Sequence, residues 1–226
     1  GEGRRLRPYT YVLPKPLLPV GEKPILDIIL ERLKKQGIRD VFLAVNYKEN
    51  LFEMLYGNGS KIGLNIAYLK EPKPLGTAGS LKNLEGKISK PFFVINGDII
   101  SDINIEELRR FYEKTKADMT VVTRKIETQI SFGVLDIKKD RIVGWTEKPK
   151  IESEIAAGMY ILSPSVLNYI PKNKFYNMND LVKKVIDNKG KVSRFLYSGQ
   201  WIFDISGMED YEEARKSFQN DSKKLK

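Results

Sequence analysis

Between residues 25 and 125 helical and extended patterns take turns along this chain, changing about every 12 residues. In "PILDIILERLKKQGI" the apolar residues at 25, 26, 29, 30 and 33 keep close to helical period, and Gly37 closes the run. "RDVFLAVNY" reads as a strand, "KENLFEMLYGNGSKIG" as a helix stopped at Gly57 or Gly59, and "LNIAYL" as another strand. "EPKPLGTAGSLKNL" reads as a loop entering a helix. "KPFFVINGDII" is apolar on both faces and runs into Asn96-Gly97-Asp98. "NIEELRRFYEKTKA" is a helix with Asn104 or Asp102 as its N-cap, and "DMTVVTRKI" is a strand. Such alternation predicts an α/β fold of three layers, α/β/α, around a mainly parallel sheet covered on both faces.

After residue 125 the rhythm changes. "FGVLDIKKDRIVGWTEKP" predicts an antiparallel hairpin turning at Lys138-Lys139-Asp140, and "EIAAGMYILSPSVLNYI" a strand leading to a short helix. "NDLVKKVIDNKG" predicts a helix, "KVSRFLYSGQWIFDIS" a second hairpin, and "GMEDYEEARKSF" a closing helix. The second half is therefore an α+β sub-lobe inserted on an α/β core. There are no repeats, low-complexity tracts or linkers, so residues 1–226 read as one domain.

Composition restricts the chemistry. The chain has 226 residues, no cysteine and no histidine. That removes thiolate metal sites, Cys nucleophiles, the commonest general base and the commonest metal ligand. Chemistry here must use Asp, Glu, Lys, Arg and hydroxyls. It suits a nucleophile already ionised at neutral pH, such as a phosphate. The formal net charge is +10. The positive residues are scattered through amphipathic helices among Glu, and "KSFQNDSKKLK" places several in a solvated tail, so no nucleic acid is expected as a partner. No apolar run approaches the roughly 20 residues of a membrane-spanning helix, and no membrane partner is expected.

Five stretches carry chemical potential, each with a plainer alternative. "GEGRRLRP" is a turn or an anion nest, with glycines that bring backbone close to phosphate and arginines that bind it bidentately. In "LPKPLLPVGEKP", Pro14 and Pro16 stiffen the backbone around Lys15, which aims its ammonium or merely leaves it on a rigid loop. Asp98 and Asp204 each follow an apolar strand, at the edge where open α/β sheets bind ligands. Each is a cap or turn former, or together they hold a hard cation such as Mg²⁺. "EKP" at 147–149 and "AAG" at 156–158 are hairpin ends or contacts to a hydroxyl-bearing, phosphorylated ligand. "LGTAGSL" at 75–81 puts Gly76, Thr77 and Gly79 where a loop enters a helix, able to receive a flat ring or a phosphate.

Taken in order, "GEGRRLRP…PKPLLPVGEKPIL…EPKPLGTAGSL…FFVINGD…FGVLDI…TEKP…AAGMYIL…WIFDIS" resembles the sugar-1-phosphate nucleotidyltransferases, or nucleotide-sugar pyrophosphorylases. That family opens with a strand and then Gly-Gly-x-Gly-Thr/Ser-Arg-Leu-x-Pro. Gly1 matches the second glycine, and Gly3, Arg5, Leu6 and Pro8 match further on; Arg4 replaces the usual Thr or Ser. The resemblance runs from residue 1 to about 213. It implies a Rossmann-like α/β/α core with a mainly parallel mixed sheet, and Mg²⁺-dependent formation of an NDP-sugar and pyrophosphate from an NTP and a sugar 1-phosphate, in the cytoplasm, for cell-surface glycan biosynthesis. By likeness, Gly1, Gly3 and Arg5 lie around the nucleotide phosphates and Lys15 neutralises the reacting phosphates. Glu71, Gly76 and Thr77 lie at the nucleotide, and Gly133, Glu147, Lys148 and Gly158 at the sugar phosphate. Asp98 and Asp204 resemble the Mg²⁺ pair, with Arg5, Lys15 and Asp98 as the catalytic set.

The motif style is nearer to uridylyl- and guanylyltransferases than to thymidylyltransferases, so GTP or UTP is expected as the NTP. The family's opening strand and first glycine would precede Gly1, so an apolar segment ending in glycine is expected directly upstream. Some members also place a regulatory nucleotide-sensing module ahead of the transferase, and dimers or tetramers are common. Where many members have glycine two residues after the last aspartate, this chain has Ser206. A non-catalytic homologue that binds nucleotide sugars is the alternative. Retention of Arg5, Lys15, Asp98, Lys148 and Asp204 speaks for the enzyme.

Overall fold

The computed structural model describes residues 3–220. Its elements are α1 (Tyr9–Val12), β1 (Pro19–Val20), β2 (Lys23–Pro24), α2 (Ile25–Lys35), β3 (Asp40–Val45), α3 (Glu49–Tyr56), β4 (Asn65–Lys70), β5 (Phe92–Ile95) and β6 (Ile99–Ser101). There follow α4 (Ile105–Thr115), β7 (Met119–Gln129), β8 (Val134–Lys138), β9 (Arg141–Thr146), β10 (Lys150–Leu162), α5 (Met178–Asp187), β11 (Val192–Leu196), β12 (Ile202–Asp204) and α6 (Met208–Asn220). Short 3-10 turns cover Arg4–Leu6, Lys15–Leu17, Ser60–Ile62, Gly79–Leu84 and Pro164–Tyr169.

Local chemistry explains most boundaries. Gly57 ends α3 at φ +51 and Gly37 follows α2 at φ +84, angles that a side chain disfavours. Asn104, not Asp102, caps α4, accepting the Glu107 N–H at 3.0 Å. Such a cap contributes about 1 kcal/mol. The Gln36 side chain joins α2 to α4, donating to the Ile103 carbonyl at 3.0 Å and accepting the Ile105 N–H at 2.8 Å.

The largest sheet has the order β11-β7-β10-β5. Its strand β10 alternates faces. Tyr160 and Leu162 pack with Leu181 and Val185 of α5, while Met159 and Ile161 pack with Leu108 and Tyr112 of α4. The sheet is thus covered on both faces, as its apolar strands predict. The expectation of a mainly parallel sheet is corrected. β11 runs parallel to β7, but β10 is antiparallel to both β7 and β5. β3 and β4 form a separate parallel pair, β12 and β6 an antiparallel one, and β8 and β9 a hairpin of their own. The physical reason is connectivity: β10 leaves the β8–β9 hairpin without a crossover helix, and such a return places it antiparallel to β7.

The predicted second hairpin is also corrected. β11 pairs with β7 and β12 with β6, so residues 191–206 cross between two sheets. The helix expected after the 71–78 loop is a 3-10 turn. Beneath the core, α2 serves two strands at once. Leu26 and Leu30 pack toward Val41 and Leu43 of β3, while Ile25, Ile28, Ile29 and Leu33 pack toward Phe93 and Ile95 of β5. Among the described residues β3 pairs only with β4, and β5 only with β10.

Candidate active site

Asp98 closes the turn Asn96-Gly97-Asp98 between β5 and β6. Gly158 shapes that turn from the neighbouring strand. It lies where the β10 register shifts between Ala156 and Tyr160, and its carbonyl accepts the Asn96 N–H at 3.0 Å. Its φ is +69, and a Cβ there would stand 2.9 Å from Asn96 Nδ2, so only bare backbone fits without displacement. Asp204 reaches the same place through β12, paired opposite Ile99, with the Ile205 N–H donating to the Asp98 carbonyl at 3.1 Å. The two strand-end aspartates therefore sit side by side.

Lys15 comes to them from the N-terminal segment. Pro14 precedes the 3-10 turn Lys15–Leu17, and Pro16 lies against Gly97, where a Cβ would be 3.4 Å from Pro16 Cγ. The Lys15 ammonium donates to an Asp98 carboxylate oxygen; the two side chains are 13% and 27% exposed, so the pair is largely shielded from water. Gly3 abuts the same lysine. It is left-handed at φ +59, and a Cβ would lie 3.3 Å from Lys15 Cβ and 2.8 Å from Thr10 Cγ2. Thr10 is buried and its hydroxyl donates to the Gly3 carbonyl at 2.9 Å. Arg5 is exposed in the turn Arg4–Leu6, which the fully buried Leu6 anchors. Gly1 lies outside the described residues.

Electrostatics tie the cluster together. Burial, and next the charge of Asp98, raise the pKa of Asp204, while Lys15 and Arg124 act to lower it. Two adjacent carboxylates offset by cations are a donor set of hard oxygens suited to Mg²⁺. Among the described residues no third acidic side chain completes a metal-binding group.

The other predicted residues lie in separate settings. Glu71 serves its own loop: its carboxylate accepts the Leu75 N–H at 3.0 Å, and its carbonyl accepts Asn46 Nδ2 at 2.6 Å. Gly76, at φ +78, lies against the Tyr176 carbonyl, 2.6 Å from where its Cβ would be. The Thr77 hydroxyl accepts the Met178 N–H at 2.8 Å at the start of α5. Gly133 makes room for the Trp145 indole, 2.6 Å from a Cβ to Cε2, and Trp145 Nε1 donates to Glu147 at 3.1 Å. Lys148 follows in a left-handed conformation at φ +45, with an exposed side chain. Lys15, Asp98, Gly158, Asp204 and Gly3 thus form one constellation, Gly76 and Thr77 a junction with α5, and Gly133, Glu147 and Lys148 the base of the projecting hairpin.

Three contributors escaped the sequence reading. Thr10 had no motif. Asp102 looked like a cap but accepts the Tyr197 hydroxyl and the Gln200 N–H, the latter at 2.9 Å, clamping the loop that leads into β12. Burial, and then Asp102, push the Tyr197 hydroxyl pKa up, keeping it protonated as the donor. Arg124 stood in "TVVTRKI" as a cation in an apolar strand, a signal that register alone could have exploited. Ser206 also has an explanation: its N–H and hydroxyl both donate to Asp210, at 3.0 and 2.7 Å, which ties the turn after Asp204 to α6.

Residues 1–221 match the family described as Nucleotidyl transferase. A mannose-1-phosphate guanyltransferase of Yarrowia lipolytica is 43% identical over 178 residues, 75% of this chain and 49% of its own length. A mannose-1-phosphate guanylyltransferase of Mycobacterium tuberculosis is 33% identical over 217 residues, 93% of this chain and 60% of its own. The chain therefore spans about half to three fifths of these relatives. Among solved structures, HddC from Yersinia pseudotuberculosis superposes with a TM-score of 0.72 at 26% identity, covering 91% of this chain and 90% of that one.

Proposed function

Because the chain belongs to the Nucleotidyl transferase family, we propose that it joins a nucleoside triphosphate to a sugar 1-phosphate and releases pyrophosphate, with GTP and mannose 1-phosphate as the pair. The names of the two curated relatives support that pair over UTP, and HddC has been solved with GMP-PN. The observation that carries the reading is the shielded Lys15–Asp98 pair beside Asp204, next to the left-handed Gly3.

In this reading a phosphate oxygen of the sugar 1-phosphate attacks the α-phosphorus of the NTP. The bond from that phosphorus to the bridging oxygen breaks, and pyrophosphate leaves with the electron pair. The nucleophile is an anion at pH 7, so no general base is required, which agrees with a chain lacking histidine and cysteine. The barrier is repulsion between anions and the charge gathered on the leaving group, and preorganised cations lower it. Lys15 supplies one such cation from a proline-stiffened turn. The Gly3 segment brings backbone close to the phosphates. Asp98 and Asp204 would hold Mg²⁺, which when bound neutralises phosphate charge.

Pyrophosphate release tests the reading, with each of the four NTPs set against glucose, mannose, glucosamine, N-acetylglucosamine and heptose 1-phosphates. Turnover is expected to be greatest with GTP and mannose 1-phosphate. Nucleotide-sugar binding without turnover on any pair would establish the non-catalytic alternative instead.

A further inference from the structure

Arg124 has no counterpart among the residues assigned above, yet its position is specific. It lies on β7 opposite Ile155 of β10, one residue past the last pairing of β7 with β11, where Thr123 meets Leu196. This is the carboxyl end of the parallel pair, the edge of an α/β sheet at which ligands bind. Val122, two residues earlier and therefore on the same face, is fully buried with Ile99 and Met159, so the alternation turns Arg124 toward β6 and β12. There its side chain lines a cleft of about 580 Å³ with Tyr197, Gln200, Trp201, Phe203 and Glu213. That volume lies in the range of pockets for small phosphorylated ligands.

The charge is also unspent. Arg124 is half-buried, and among the described residues it makes no hydrogen bond or ion pair. By contrast Arg109, Arg110, Arg194 and Arg215 all pair with glutamates. A partly desolvated guanidinium carries a cost that an anion offsets, and its planar fork matches two phosphate oxygens at once. Its field reaches Asp204, as does that of Lys15. Lys15, however, is bonded to Asp98 and backed by Gly3, whereas Arg124 approaches from the cleft.

We propose that Arg124 is a phosphate-contacting residue of this site, binding the phosphate of the incoming sugar 1-phosphate while the NTP phosphates lie on the Gly3–Lys15 side. The assignment rests on the nucleotidyltransferase reading. The guanidinium holds the monoester anion beside the Asp98–Asp204 pair, and the cleft beyond it offers Gln200 and Glu213 to sugar hydroxyls.

Steady-state kinetics of the full-length protein and of its Arg124→Gln and Arg124→Lys variants test this. With Gln, KM for the sugar 1-phosphate is expected to rise about 10-fold or more, as for loss of a charge-assisted contact, while KM for the NTP stays within about twofold. Lys is expected to recover part of the loss, since it keeps the charge without the fork. A rise in both KM values alike, or in neither, overturns the assignment and leaves the reaction class standing. If Gln fails to fold, the Lys variant decides by the same split between the two substrates. An unaltered protein that turns over no NTP and sugar 1-phosphate pair sinks both the reaction class and this role.

Discussion

At the residue scale, the proposed reaction has Lys15 and Asp98 act through charge placed before it begins. Lys15→Ala and Asp98→Asn are each expected to lower kcat about 10²-fold or more, the cost typical of removing one preorganised electrostatic partner. Circular dichroism should stay that of the parent, because neither side chain belongs to an apolar cluster, while the thermal midpoint is expected to fall, because each change leaves a largely shielded charge without its partner. Gly3 and Gly158 act through absence of a side chain. Gly158→Ala forces φ +69 on an alanine and presses on Asn96, so it is expected to cost at least about 1–2 kcal/mol in urea unfolding and to lower kcat by shifting the Asp98 turn. Asp98, Asp204 and Lys15 were legible from strand ends and flanking prolines. Arg124 was not, because one cation in a strand looks solvated until the register shows which face it is on.

At the scale of elements, the β11–β12 connection carries the most consequence. Read alone, two apolar runs around Ser198-Gly199-Gln200 suggest a hairpin, because that is the commonest way to join neighbouring strands. Here the parallel pairing with β7 and the Asp102 clamp carry the chain to β6 instead, and that crossing is what delivers Asp204. The Tyr197 hydroxyl donates to Asp102 and lies at the Trp201 carbonyl. Tyr197→Phe is expected to lower stability by about 1–2 kcal/mol, measured by urea unfolding, and to reduce kcat more than it raises KM for the NTP. At the other junction, Thr77→Val leaves the Met178 N–H without its partner at the start of α5, with an expected loss of about 1 kcal/mol in the same measurement.

At the scale of the whole molecule, the β3–β4 pair and the four-stranded sheet each end, among the described residues, on an unpaired strand edge. β3 and β5 pack over the same helix, α2, and each has one edge without a strand partner among the described residues. All four residues of β5 stay only half-buried, and Phe42 of β3 is 40% exposed. A strand laid between them would satisfy both edges and bury that surface. Extending the chain ahead of Gly1 with an apolar strand ending in glycine is expected to raise the thermal midpoint by about 5 °C or more, read by calorimetry; no rise would count against a strand in that place.

Local features were readable along the chain: where most helices start and stop, which runs are apolar, and that the chemistry must be done without histidine or cysteine. Those depend on side-chain period, caps and turn residues within a few positions of one another. Which strands are neighbours, and in what direction, was decided only in three dimensions, because pairing joins residues far apart in the chain. The union of Asp98 with Asp204, the seating of Lys15 on Asp98 and the inward turn of Arg124 all depend on that pairing.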